Sequence, residues 1–502
     1  MRKTLLAAVC AALTLVPASI AQGAELLYWT NYDENTISSA DITGGGGGLL
    51  NLTGATLDRP EGMAIDTVTG KLYVASNGGP DSEGQIISVN LDGSGAGVLN
   101  TAGAPLSNPE GIAVDPVTRL VYWSNFNNGS SIGFARLDGT GGGALNTAGA
   151  TLSGATRMAL DPVGGRVYWV NSIPNPQVIS FANVNNSGGG DLSTTGAAPP
   201  TEITGLAADP AGGRLYLLEN STPDRILFAN LNGTGGGDLT LPGSAFDSPF
   251  GIGFDPTIGR LYWGNYGNGK VETNAIGFAG IGGGGGGISI ATAPVAGPQD
   301  PLILKSPTGT GAPAVTRSAR SRASLSCSNG TWAADFAGSY VYQAPTKFAY
   351  QWTRNGVAVA GAVASTLNAR TAGTYGCIAT ATNQAGSATQ TSAGIAVKAA
   401  KLKLTVRKKV AVKPGRLAKL KLRIANVGDV ATGRAQICLK TGKRAKALKA
   451  LKCKKLGPIP GGAKLAGTLR LKVSPVATGT YRVKLIVKGA PAKPAKARIL
   501  VR

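Results

Sequence analysis

The chain has 502 residues, 74 of them Gly and none His, with 49 Lys and Arg against 26 Asp and Glu. That length predicts several domains, each able to bury a core, and Gly-rich, low-charge, strand-forming text with few helix formers predicts an all-β chain. The missing His excludes Ser-His-Asp and Cys-His catalysis and every His-ligated metal site.

Residues 1–21 read as a secretory signal peptide. Arg2 and Lys3 form its charged start, Leu5 to Val16 its apolar stretch, and Ser19-Ile20-Ala21 its small-residue cleavage site. Cleavage after Ala24 would place Gln22 at the minus-three position, so Ala21 is the better choice. No later run approaches the roughly 20 apolar residues of a membrane span, so no transmembrane segment is expected and the mature chain is expected outside the cell. Cys10 leaves with the signal. Cys327, Cys377, Cys438 and Cys453 remain, and an even number in an exported chain reads as disulfides.

From residue 22 to 304 one phrase returns. "PEGMAIDTVTGKLYVASN" begins at Pro60, "PEGIAVDPVTRLVYWSN" at Pro109 and "ATRMALDPVGGRVYWVN" at Ala155. "ITGLAADPAGGRLYLLEN" follows at Ile203 and "PFGIGFDPTIGRLYWGN" at Pro249. The phrase's Asp falls at 66, 115, 161, 209 and 255, spacings of 49, 46, 48 and 46 that suit four-stranded propeller blades. In the third unit, Gly111 to Asp115 is expected as the inner strand, "LVYWSN" as the second, Ser131 to Gly139 as the third and Gly143 to Leu152 as the outermost. The repeated Asp heads a tight turn and is expected to accept hydrogen bonds from it. Gly runs such as "DGTGGG" are followed by strands, not helices, so they are hairpin loops rather than phosphate cradles.

The first copy, "ELLYWTN" from Glu25, is only the second half of the phrase. The missing inner strand is "PQDPLIL", Pro298 to Leu304, placed 49 residues after Pro249. Pairing 298–304 with 26–30 would close a ring of six blades and leave no free edge. Tyr-Trp-x-Asn below Gly-Ile-Ala-x-Asp resembles the YWTD (class B) repeats of the low-density-lipoprotein receptor. The resemblance covers residues 25–304 and implies a six-bladed propeller with a habit of protein binding. The family's closing Asp is Asn here, at Asn31, Asn125, Asn171 and Asn265.

Aligning the units puts Glu61, Glu110, Thr156, Thr204, Phe250 and Gln299 around one end of the channel, where the inner strands begin. The loops after the second strands bring Tyr32, Asp33, Phe126 and Tyr266 to the same side. Carboxylates among exposed aromatics suit a cationic, sugar or peptide ligand.

Residues 305–398 carry "LSCSNGTW" with Cys327, "FAYQWTRNG" with Trp352, and "AGTYGC" with Tyr375 and Cys377. This pattern resembles bacterial immunoglobulin-like modules, which implies an inter-sheet Cys327–Cys377 disulfide, a core Trp packed on it and a tyrosine corner. The Cys327 to Trp352 gap is long, so an insertion is expected around Ala333 to Pro345. Residues 399–502 alternate apolar and basic in strand period, and "IANVGDVATG" resembles the Asn-x-Gly signature of CARDB-type adhesion sandwiches. Cys438 and Cys453 flank a Lys-rich segment and are expected to staple it.

Charge separates along the chain. Residues 22–304 hold 10 Lys and Arg against 24 Asp and Glu, whereas residues 401–502 hold 29 against one. Lys401, Lys403, Arg407, Lys419, Lys421, Arg423, Arg470, Lys472, Arg482 and Lys484 are expected on outer strand faces as an extended cationic surface for anionic cell-envelope polymers or lipid head groups. No specific nucleic-acid site is expected. The sequence reads as a secreted, envelope-associated, non-enzymatic binding or adhesion protein, with an unknown protein or glycan ligand at the propeller face and no cofactor or metal. The alternatives are a structural envelope component and a metal-dependent propeller lactonase or lyase.

Overall fold

The computed structural model describes residues 25–502 except 44, 67, 80–82, 128–129, 174, 245, 268–275, 289, 291–294, 320, 337, 339, 441–446 and 451–452. Residues 1–21, expected as a signal peptide, lie outside the described residues, Cys10 among them. Among those described there is no α-helix, and no helix long and apolar enough to cross a membrane. The chain divides into two compact units. The first takes residues up to 308 together with 332–347 and 382–388; the second takes 309–331, 348–381 and 389–502.

The first unit is a six-bladed β-propeller. Its inner strands are Pro298–Lys305, Pro60–Asp66, Pro109–Asp115, Ala155–Asp161, Ile203–Asp209 and Pro249–Asp255, each heading an antiparallel sheet that steps outward. The first blade is made from both ends of the repeat region: Pro298–Lys305 lies antiparallel to Glu25–Asn31, with Leu26 opposite Leu304, Leu27 opposite Ile303 and Tyr28 opposite Leu302. Outer strands are shorter than the text suggests. In the third blade only Gly142–Ala144 pairs, and Leu145 to Leu152 runs on as a loop.

The repeated residues have local reasons. Asp66, Asp115, Asp161 and Asp255 each accept a backbone N–H two residues on, and Asp209 accepts that of Gly212, so the carboxylate holds the turn between first and second strands. The second-strand Tyr and Trp are buried between blades; Trp29, Trp123, Trp169 and Trp263 are sealed from solvent, each contributing about 1.5–3 kcal/mol by burial. The Asn that closes the phrase uses both ends of its carboxamide. Asn171 accepts from the Trp169 indole at 3.2 Å and donates to Ser180 at 2.8 Å; Asn31 does the same with Trp29 at 3.0 Å and Ser38 at 2.8 Å. An Asp there would supply only acceptors and leave the hydroxyl oxygen without that donor.

The expected insertion enters the ring. Val341 and Tyr342 pair in parallel with Ile303 and Leu304 of the first blade's inner strand. The Tyr340 hydroxyl donates to the Met158 carbonyl in the fourth blade, and the Ile65 amide of the second blade reaches the Tyr342 hydroxyl at 3.5 Å. A Cβ on Gly338 would stand 2.3 Å from the Leu160 carbonyl oxygen and 3.4 Å from Ala208 in the fifth blade. A segment touching inner strands of four blades occupies the channel between them. Its Gly338 admits the close approach, and Val341 and Tyr342 extend the apolar core.

Beyond the blades the chain forms two β-sandwiches. In the first, Ser324–Cys327 sits between Val315–Arg317 and Thr366–Asn368, while Lys347–Arg354 pairs in the sheet of Gly373–Asn383 and Gly386–Thr391. Cys327 and Cys377 are bonded, Trp352 is fully buried, and the Tyr375 hydroxyl donates to the Thr371 carbonyl. In the second, one sheet runs Leu402–Val406, Leu417–Asn426, Lys464–Val473, Leu448–Ala450. The other runs Lys409–Val412, Ala495–Val501, Gly479–Lys488, Ala435–Lys440, Lys454–Leu456. Leu420, Leu471, Leu485 and Ile499 lie in the core between them. Cys438 and Cys453 are bonded.

Candidate functional site

Every inner strand breaks register near its start. In the fourth blade Thr156 faces Val170 and Met158 faces Trp169, leaving Arg157 between them without a partner; the same slip falls between Ile203 and Gly205 and between Phe250 and Ile252. In the second and third blades it spans Glu61-Gly62 and Glu110-Gly111, and in the first it falls within 299–302. A bulge re-aims the side chains that it carries. Here it leaves Glu61, Glu110, Arg157, Gln299 and Asp300 interacting at one end of the channel.

The third position of the phrase reads Gly62, Gly111, Arg157, Gly205, Gly251 and Asp300. Gly is ordinarily needed because the adjacent inner strand is close: a Cβ on Gly111 would meet the Met158 nitrogen at 2.5 Å, and one on Gly205 the Ile252 nitrogen at 2.8 Å. Two blades break that rule with opposite charges. Arg157, 8% exposed, donates to Glu61 at 2.8 Å and to Gln299 at 3.2 Å, and its guanidinium carbon lies 5.5 Å from the centre of the Phe250 ring. The carboxylates around it hold it charged against burial.

Burial and the neighbouring Glu61 charge push the Glu110 carboxyl up to about 8, against the pull of Arg157. Burial pushes Asp300 up to about 6, with Arg157 lowering and Glu61 raising it. Raised in this way, the Glu110 carboxyl keeps its proton to higher pH than an ordinary glutamate. At the rim, Tyr266 donates to Asp33 at 2.6 Å and packs 5.8 Å from Phe250. Burial, then Glu61, raises the Tyr32 hydroxyl, with Glu110 and Asp33 adding to it and Arg59 opposing.

The structure thus gathers Glu61, Glu110, Gln299, Phe250, Tyr32, Asp33 and Tyr266. Glu61 and Gln299 are engaged by Arg157 rather than free for a ligand. Thr204 is 3% exposed and its hydroxyl is occupied, donating to the Pro249 carbonyl at 2.6 Å. Thr156 is buried beside Arg157, while Phe126 is 36% exposed on its loop. Arg157 and Asp300, absent from the list read by repeat position, are the two departures from Gly in the third column. Among the described residues no three of His, Cys, Asp and Glu come together to hold a metal ion.

The cationic residues of the second sandwich are divided between its two sheets. Lys403, Lys419, Lys421, Arg423, Arg470 and Lys472 are exposed on the first, with Lys401 and Arg407 at the ends of its edge strand; Arg482 and Lys484 are exposed on the second. The single acid of residues 401–502, Asp429, is buried, accepting from the Lys398 amide at 2.9 Å and pairing with Arg317 at 3.0 Å. A groove of about 850 Å³ lies on the second sheet, and seven of its nine lining residues are Lys or Arg.

Fold and mouth together define a six-bladed β-propeller with an internally ion-paired channel, continued by β-sandwich modules. No protein-family model matches the sequence, and no curated protein matches it. Solved structures do. A chain of a nidogen/laminin complex is 18% identical, covering 56% of this chain and 98% of that one at a TM-score of 0.43. A putative TolB from Agrobacterium tumefaciens is 12% identical over 56% and 97% at 0.36, and a gluconolactonase from Xanthomonas campestris 14% over 60% and 89% at 0.39. The propeller assignment rests on the six sheets and their closing strand.

Proposed function

We propose that this is a secreted, non-enzymatic binding protein of the cell envelope, built from a YWTD-type propeller, an immunoglobulin-like module and a basic sandwich. The basic sandwich holds it against anionic envelope polymers or lipid head groups, and the rim of the channel takes a protein or glycan ligand. One observation carries the reading: 29 cations share a small sandwich whose lone acid is buried and already paired, so the positive faces have no counter-charge within that domain. Solubility alone asks for mixed signs. At the rim, Tyr32, Phe250 and Tyr266 offer aromatic surface beside Asp33 and Glu110, a combination suited to an amphipathic ligand.

The test uses the intact protein with phosphatidylglycerol or phosphatidylcholine vesicles. The reading expects retention on the anionic vesicles alone and release as salt rises, because such attraction screens over about 8 Å at physiological ionic strength. Retention that ignores salt, or equal retention on both vesicles, contradicts it. A second reading, a lactonase or lyase acting at the mouth, has Glu110 and Asp300 in its favour, since carboxyls raised toward neutrality suit acid–base work. It requires lactone hydrolysis that disappears when Glu110→Gln and Asp300→Asn are combined.

A further inference from the structure

The two basic faces of the second sandwich are not alike. On its first sheet Lys403 faces Ala425, Lys421 faces Thr468 and Arg423 lies between Thr405 and Ala466, and among the described residues like charges meet in pairs rather than rows of three, Lys419 with Arg470 and Lys472 with Lys449. On its second sheet cation is set against cation. Lys409 pairs with Arg498 and Arg498 with Arg482, making one row across three strands; Lys496 pairs with Lys484 and Lys484 with Lys440, making another. All six side chains are exposed.

Directly opposite residues hold their Cβ atoms about 4.5–5.5 Å apart, and like charges there destabilise a sheet. The rows are two residues apart, hence about 7 Å. Val483 and Ala497, buried between the rows, tie this register to the core, so the cations cannot slip apart without turning apolar residues outward. The six line the groove of about 850 Å³.

We propose that this groove is a binding site for a linear phosphate polymer, whose successive phosphates lie between the two rows. The inference rests on the reading that the basic sandwich contacts anions, and adds where and what. One phosphate would engage only part of the grid. A bilayer averages charge over its surface and would use either face of the sandwich. A chain with an anion at every repeat uses a fixed register, and the facing guanidinium groups of Arg482 and Arg498 add bidentate donors suited to phosphate.

The experiment titrates full-length protein with linear inorganic polyphosphate across a salt series. Two variants accompany it: Lys440→Gln/Lys484→Gln/Lys496→Gln on the proposed face, and Lys419→Gln/Lys421→Gln/Arg470→Gln on the other. At about 0.7 counterions per phosphate, six cations give a log–log salt slope near −4 and three give about −2, so the first variant loses roughly 50-fold at about 0.15 M salt. The second is expected to change affinity less than threefold. Both variants should melt at or above the parent temperature, since each removes like-charge contacts.

Equal losses in the two variants overturn the site and leave only a diffuse basic domain. No polyphosphate binding, with vesicle binding intact, also overturns it while sparing the proposed function; loss of both removes that reading too. Polygalacturonate binding as tightly as polyphosphate, or single-stranded oligonucleotide binding tighter per phosphate, overturns the assignment of the ligand class.

Discussion

The channel mouth of the propeller and the second sheet of the C-terminal sandwich both concentrate charge, and they treat it in opposite ways. At the mouth, Arg157 was placed where four other blades carry Gly, and it meets Glu61 directly with Glu110 and Asp300 beside it. On the sandwich, six cations face one another and no acid of the domain is within reach. Charge that is neutralised internally shapes and holds a fold, whereas charge left facing its own kind is held by the fold for something else. A burial map alone would not separate the two cases; the sign of the neighbours does.

The sharpest way to break this comparison is to remove the internal counter-ion. Arg157→Met leaves Glu61 buried without its partner and should cost about 3–5 kcal/mol, read from chemical denaturation of the intact protein. A cost below about 1 kcal/mol would mean that the mouth is solvated, like the sandwich face.

Glu110 tests the same point by pH. Its folded value of about 8 lies above its ordinary 4.5, so protonation favours the folded state, and that contribution is complete below about pH 4.5 and lost as pH rises through 8. Asp300, raised to about 6 from 3.8, has the same sign over a lower window. Glu110→Gln should therefore stabilise the protein by at least about 1 kcal/mol at pH 8, with the gain vanishing below about pH 4.5. A gain that is flat with pH would assign the effect to packing.

Tyr340→Phe removes the hydroxyl that reaches the Met158 carbonyl and should cost about 1 kcal/mol. On the opposite side of the comparison, Lys484→Gln relieves contacts with both Lys440 and Lys496 and should raise stability by about 0.2–1 kcal/mol in the absence of polyanion, with the gain shrinking as salt is added. Destabilisation by this change would show that the grid is internally satisfied after all.

Much of the fold was legible because blades repeat and repetition exposes period, strand order and the orphan half-phrase at Glu25. The Cys327–Cys377 disulfide, the buried Trp352 and the Tyr375 hydrogen bond were likewise readable, because the Cys–Trp–Tyr–Cys pattern resembles that of immunoglobulin-like modules. Arg157 and Asp300 were not singled out, although both stand in a column that is otherwise Gly; their meeting with Glu61 depends on ring closure and on a bulge, neither of which a single repeat encodes. The insertion after Ala333 was visible as excess length, but its seat inside the channel is a contact 182 residues away at Met158. The cationic residues were visible as alternation. Which of them face each other is a matter of register between strands distant in sequence, so the division of the ten between two sheets, and the rows through Arg498 and Lys496, emerge only from the folded chain.

Lysine-acetylation footprinting of the intact protein, with and without polyphosphate, tests the central claim most directly. Internal neutralisation at the mouth and an unanswered grid on the second sheet predict that Lys409, Lys440, Lys484 and Lys496 become protected while Lys403, Lys419, Lys421 and Lys472 stay reactive. Uniform protection of the two groups, or protection confined to the second, would contradict the account.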